Sequence, residues 1–288
     1  MAIGIVENLR SSYDYTNKSL NSFTDWVILI TITMLMLAGV VLVVLGILGM
    51  AVTSFTTVTP DAVTVTQVPL FDPVGATTVT GTETTVSGSF PLAELFGGAF
   101  SLVAMGIGAV LSLVFGILWT GFILRVYRGG ELKLGSWGRM FLDGLLATII
   151  SLLYCIPYVI ICILLAFGPM TNPTYALIAL IVEFIVILIT SMVLLMGLIR
   201  FAKEQRFGAA FQIKELFSII GTIGWLRYLA NIIVIGIIML VISVILLLIL
   251  GIGWVLLLVL VPFLSIWEAK FFANLYESAL PAPAAVEE

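Results

Sequence analysis

The sequence predicts an all-α integral membrane protein: a bundle of six transmembrane helices with a small Thr/Val-rich extracellular insertion of β-like character. Three observations predict it. The 288 residues are 61% hydrophobic and only 10% charged, whereas soluble domains are roughly 45–50% apolar and about 25% charged. Several apolar segments exceed the roughly 20 residues needed to cross a hydrocarbon core. All the basic side chains fall on one side of the resulting topology.

In chain order, residues 1–25 are polar and aromatic, with no short apolar core and cleavage site of a signal peptide. They are expected to form a cytoplasmic interfacial segment, anchored by Phe23 and Trp26 at headgroup level. The first span covers 26–52. Residues 53–98 then alternate Thr and Val between Pro60, Pro69, Pro73, Gly75, Gly81 and Gly88. Such alternation between breakers predicts short strands or a hairpin, or else a polar loop. Span 2 covers 99–124, where Ala104, Gly108, Ser112, Gly116 and Thr120 recur every four residues. A ridge of small side chains lets membrane helices approach closely.

A basic elbow follows at 125–143. Span 3 covers 144–167 with Pro157 as an expected kink, an external turn 168–174, and span 4 covers 175–199. Residues 200–228 hold an amphipathic stretch in which Ile213, Leu216, Phe217 and Ile220 share one face. It is expected to lie on the inner leaflet. The apolar run 229–266 has 38 residues, which as one helix would reach about 57 Å. Two spans, 229–250 and 254–279, turning at Gly251, Ile252 and Gly253, fit better, because glycine tolerates tight-turn backbone. The last part of 254–279 extends into the cytoplasm, and 280–288 reads as a disordered tail.

Orientation follows from the bases. Arg10 and Lys18 precede span 1. Arg125, Arg128, Lys133 and Arg139 lie in the elbow. Arg200, Lys203, Arg206, Lys214 and Arg227 lie in the second inner segment, and Lys270 follows span 6. These are all 12 Lys and Arg residues in the chain. The positive-inside rule then places both termini in the cytoplasm of a multi-pass cell-membrane protein.

The chemistry on offer is sparse. There is no histidine, which removes the commonest general base and metal ligand. Cys155 and Cys162 are seven apart in one apolar run, too far along a helix to bridge, and are expected as buried free thiols. The Gly-Gly pair in 127–131 lacks the rest of a phosphate loop. The Asn17 sequon falls on the inner side, and no basic patch with interleaved aromatics points to nucleic acid. No catalytic, cofactor-binding or metal residue is assigned, and the chain is expected not to be an enzyme.

Two features remain as candidate sites. Glu183 is the one ionisable side chain deep within a span, about 12 Å from Tyr175 by helix rise. Such residues are functional candidates by default. It could be a structural hydrogen-bonding acid, a proton or cation site in a transport path, or a contact to a partner subunit. The elbow residues Arg125, Arg128, Glu131, Arg139 and Asp143 form the second. Arg139 and Asp143 have i, i+4 spacing, and Arg125 or Arg128 could pair with Glu131 or Asp143 across the turn. An ion-pair latch or a site for anionic lipid headgroups would result.

Several of these residues also carry a resemblance. Gly121, the run Arg125 to Glu131, Trp137, Asp143 with Gly144, and Tyr154 with Pro157 resemble the archaeal membrane family called domain of unknown function 4013. The block Arg206 to Phe211, the segment from Tyr13 to Trp26, and Asn274 to Tyr276 ahead of Ser278 and Ala279 are similar to it too. The resemblance covers most of the chain except the Thr-rich segment. It implies an archaeal cell-membrane protein with several spans and carries no activity or site residues. Taken together, the readings are an oligomeric scaffold or accessory subunit of a membrane assembly, or a permease or channel using Glu183. The expected partners are the lipid bilayer, copies of the chain or another membrane protein, and anionic lipid at the cytoplasmic face.

Overall fold

Length and apolar content dictate helices here, because in lipid only an α-helix or a closed barrel satisfies every backbone polar group. The computed structural model describes residues 3–20, 22–56, 98–129, 135–169, 171–249 and 253–280. Within them the chain is all-helical: α1 Ile5–Ser19, α2 Phe23–Thr56, α3 Gly98–Arg128, α4 Trp137–Ala166, α5 Pro173–Glu204, α6 Ile213–Ile223, α7 Trp225–Leu248 and α8 Gly253–Glu277. A short 3₁₀ turn, Phe207–Phe211, links α5 to α6. Of the β-like insertion at 53–98, residues 53–56 and 98 are helical, in α2 and α3; its remainder at 57–97, Gly251 and Ile252 of the turn, and 281–288 of the tail lie outside the described residues.

Six of these helices, α2 to α5, α7 and α8, are long and apolar enough to cross a membrane. Their outer faces agree with that reading. Leu113, Leu152, Leu180, Phe184 and Leu240 are each more than 60% exposed, far more apolar surface than a water-soluble monomer displays. The chain is a polytopic helical membrane protein. Cys155 sits on such an exposed face of α4 and Cys162 is half-buried. The expectation of buried thiols is corrected for Cys155, since α4 turns its 155 position away from the helices it packs on.

Helix ends follow local chemistry. Asn172 caps α5, its side-chain oxygen accepting from the backbone N–H of Thr174 at 3.0 Å and Tyr175 at 3.4 Å, with Pro173 as the first helical residue. Gly224 separates α6 from α7 at φ 93°, a conformation open chiefly to glycine. The apolar run after residue 228 is divided between α7 and α8.

The chain forms two compact units, Leu37–Ser112 and Met1–Met36 with Leu113–Glu288. In the first, α2 and α3 meet backbone to backbone. A Cβ on Gly39 would stand 2.6 Å from the Ser112 nitrogen, and one on Gly108 would stand 2.6 Å from the Gly39 carbonyl oxygen. No larger residue fits without separating the helices. The ridge expected on α3 is thus in use at Gly108 and Ser112. In the second unit Gly121 and Gly144 let α3 and α4 cross as closely. Its core runs through Phe122, Tyr154, Met196, Leu216, Tyr228 and Phe271, all buried.

The amphipathic helix α6 belongs to that core. Leu216 and Ile220 are fully buried, while Ile213 and Phe217 stay about 40% exposed. The apolar stripe is therefore shared: one edge packs on protein and the other faces outward. Helix α1 packs along α8. Asn8 donates to the Phe271 carbonyl at 3.0 Å and the Trp267 indole donates to the Leu9 carbonyl at 3.1 Å. Tyr13 meets Phe263 edge-on at 5.7 Å.

Candidate functional site

The described residues of the basic elbow join the ends of three helices. Arg128, at the end of α3, donates from Nη1 to Asp143 Oδ2 at 2.7 Å and from Nε to the Ala202 carbonyl at 2.9 Å. Asp143 lies on α4 and Ala202 on α5, so one guanidinium joins three helices. Both partners of the ion pair keep less than one-fifth of their surface, which shields the pair from the screening that weakens exposed ones. Arg125 donates to both the carbonyl and the hydroxyl oxygen of Ser136 at 2.8 Å, closing the elbow over α4's start. Arg139 is exposed and, among the described residues, forms no ion pair; Asp143 instead faces Arg128. Glu131 lies outside the described residues.

A second polar knot lies beside the first. Arg200 of α5, only 6% exposed, donates from Nε to Glu204 at 2.6 Å and from Nη2 to Glu215 of α6. Lys203 pairs with Glu277 of α8. Tyr154 donates to the Ala210 carbonyl at 2.5 Å and stacks on Phe211, which ties the 3₁₀ turn to α4. Tyr228 donates to the Met192 carbonyl at 2.9 Å. Lys270 sits 4.9 Å from the centre of the Tyr15 ring, and burial pushes the Tyr15 phenol up from its ordinary value. Asn274 reaches Asn8, Ser11 and Ser12 at 3.1 Å. These bonds hold α1, α6, the start of α7 and the elbow-side halves of α3, α4, α5 and α8 as one cross-tied layer.

Glu183 is apart from all of this. It lies in α5 between outward-facing Leu180 and Phe184, partly exposed itself. It stands within electrostatic range of Tyr158 on α4. Among the described residues it has no hydrogen bond and no ion pair. The structure therefore does not bring the two predicted sites together.

Sequence reasoning missed a third place. A cavity of about 360 Å³ opens among α3, α5, α7 and α8, with Trp119, Tyr127, Ser191, Ile232, Ser265 and Glu268 in its lining. Glu268 reads in the sequence as part of a solvated extension of span 6. Its neighbours in the cavity come from four helices, so no local pattern marks it. The polar ties of α1 had a usable signal: Asn8, Ser12 and Thr16 recur every four residues, and all three are buried. Among the described residues no three His, Cys, Asp or Glu side chains come together as a metal site would need.

A family model described as a protein of unknown function, DUF4013, matches residues 104–252, the stretch that contains the elbow, Arg200 and Glu183. No curated protein and no solved structure matches the chain.

Proposed function

We propose a role for a chain that belongs to the DUF4013 family: a non-enzymatic membrane scaffold or accessory subunit that works in an oligomer or with a membrane-protein partner. It would sit in an archaeal cell membrane with both termini in the cytoplasm. The observation that carries this reading is Glu183. A carboxyl at mid-span costs about 2.5–3.5 kcal/mol or more unless something satisfies it. Among the described residues nothing in the chain does, and the helix faces around it point outward. A donor on a neighbouring subunit would supply the missing partner and make the carboxyl an assembly contact. The cross-tied inner layer supports the same reading, because a subunit that presents a fixed surface benefits from rigid helix ends. Anionic lipid at the elbow bases would add to that anchoring.

The test is the mass of the complex extracted in mild detergent, for the natural chain and for Glu183→Leu. The expected result is a mass above the 31.2 kDa of one chain, falling to that of one chain in the variant. A natural chain that runs alone would overturn the proposal. A proton-coupled flux in liposomes that Glu183→Gln abolishes would replace it with a permease.

A further inference from the structure

We propose that the cavity beside Glu268 binds a small organic cation with an apolar body, of the alkyl- or arylammonium class. The cavity holds about 360 Å³, within the range of small-molecule pockets. Four helices bound it, which is where bundles place ligand sites. Its walls are apolar and aromatic: Trp119 and Tyr127 of α3, Leu188 and Leu195 of α5, Ile232 of α7 and Phe272 of α8.

Among the described residues, Glu268 is the only charged group in the lining. Among the described residues it makes no ion pair and no hydrogen bond, although Lys270 is two residues away. Lys270 is turned instead to the Tyr15 ring. Tyr127 lies close enough to feel the Glu268 charge, and its hydroxyl has no partner among the described residues. A carboxylate and a phenol thus face one space with their hydrogen-bonding capacity unused.

The lining selects the ligand by elimination. An anion would meet Glu268 with nothing to offset the repulsion. A bare divalent metal ion needs about six oxygen ligands, and this cavity brings a single carboxylate with a few hydroxyls. A neutral hydrocarbon would fill the walls but leave the carboxylate unpaired in an apolar surround. An ammonium ion with an apolar body satisfies all of them. Its charge pairs with Glu268, its C–H or N–H shell lies against Trp119, Tyr127 and Phe272 as cation–π contacts, and its body covers the aliphatic wall. Glu183 is not among the cavity's lining residues.

The purified full chain in non-ionic detergent would be titrated with radiolabelled 3-phenylpropyltrimethylammonium and with its neutral carbon isostere. We expect saturable binding of the cation and affinity for the isostere lower by about tenfold or more, the usual worth of a charged contact. Glu268→Gln should lose affinity by about the same factor, while Glu183→Gln should bind as the natural chain does. Equal binding of cation and isostere, full affinity in Glu268→Gln, or no saturable binding up to millimolar cation would each overturn the proposal. If Glu268→Gln melts earlier than the natural chain, Ser265→Phe decides. It keeps the carboxylate and fills the cavity, so lost binding at unchanged melting supports the site and retained binding refutes it.

Discussion

The α2–α3 crossing within 37–112 and the cross-tied layer of helix ends within 1–36 and 113–288 hold helices together by opposite means. At the crossing, Gly39 and Gly108 bring main chains into contact, and shape does the work. At those helix ends, Arg128 reaches Asp143, Arg200 reaches Glu215 and Tyr154 reaches the Ala210 carbonyl, each on another element. The surroundings explain the difference. Lipid is as apolar as the helices, so burial drives nothing and close packing has to serve. Near the headgroups water competes for every polar group, and only bonds that are shielded or multiply anchored contribute much.

That contrast can be broken at its strongest point first. Glu204→Gln combined with Glu215→Gln leaves the buried Arg200 guanidinium without a counter-charge. The expected cost is about 3 kcal/mol, read as an earlier unfolding transition in detergent. Gly108→Leu drives a side chain into the Gly39 backbone and should cost about 2 kcal/mol. Added salt should not change that loss, because no charge is involved, and a salt-dependent loss would contradict the shape argument. Tyr154→Phe removes one buried hydrogen bond and leaves the Ala210 carbonyl unpaired, for about 1 kcal/mol. Lys203→Ala breaks a single pair whose cation keeps 19% of its side-chain surface, against 7% for the Arg200 guanidinium. It should cost less than about 1 kcal/mol and vanish at high salt. A Lys203 variant as damaging as the Arg200 knot would show that exposure does not grade these ties.

The two glutamates show how far a site could be read from residues alone. Glu183 stands out in the sequence because everything within eleven residues on either side lacks a formal charge. Its place on a partly exposed face, with no partner among the described residues, needed the fold. Glu268 looks ordinary beside Lys270 in a mixed stretch, and only the arrival of α3, α5 and α7 around it makes a cavity. The elbow was legible as a cluster but not as a pairing. Four bases and two acids allow several matches, and the Gly121–Gly144 crossing of α3 on α4 is what sets Asp143 opposite Arg128. Glu131, the remaining elbow acid, lies outside the described residues.

By itself the sequence determined the class of the molecule: helices that cross a membrane, their number, and which segments carry charge. Those follow from composition along one dimension, because hydrocarbon tolerates only long apolar segments with internally bonded backbones. Tertiary structure decided which polar groups meet. Arg128 with Asp143 and Ala202, Arg200 with Glu215, and Asn8 with Phe271 join residues 15 to 263 positions apart. Such meetings depend on which face each helix turns toward its neighbours, and that is set by close packing at Gly121 and Gly144 and by the burial of α6, none of which is written in the local pattern.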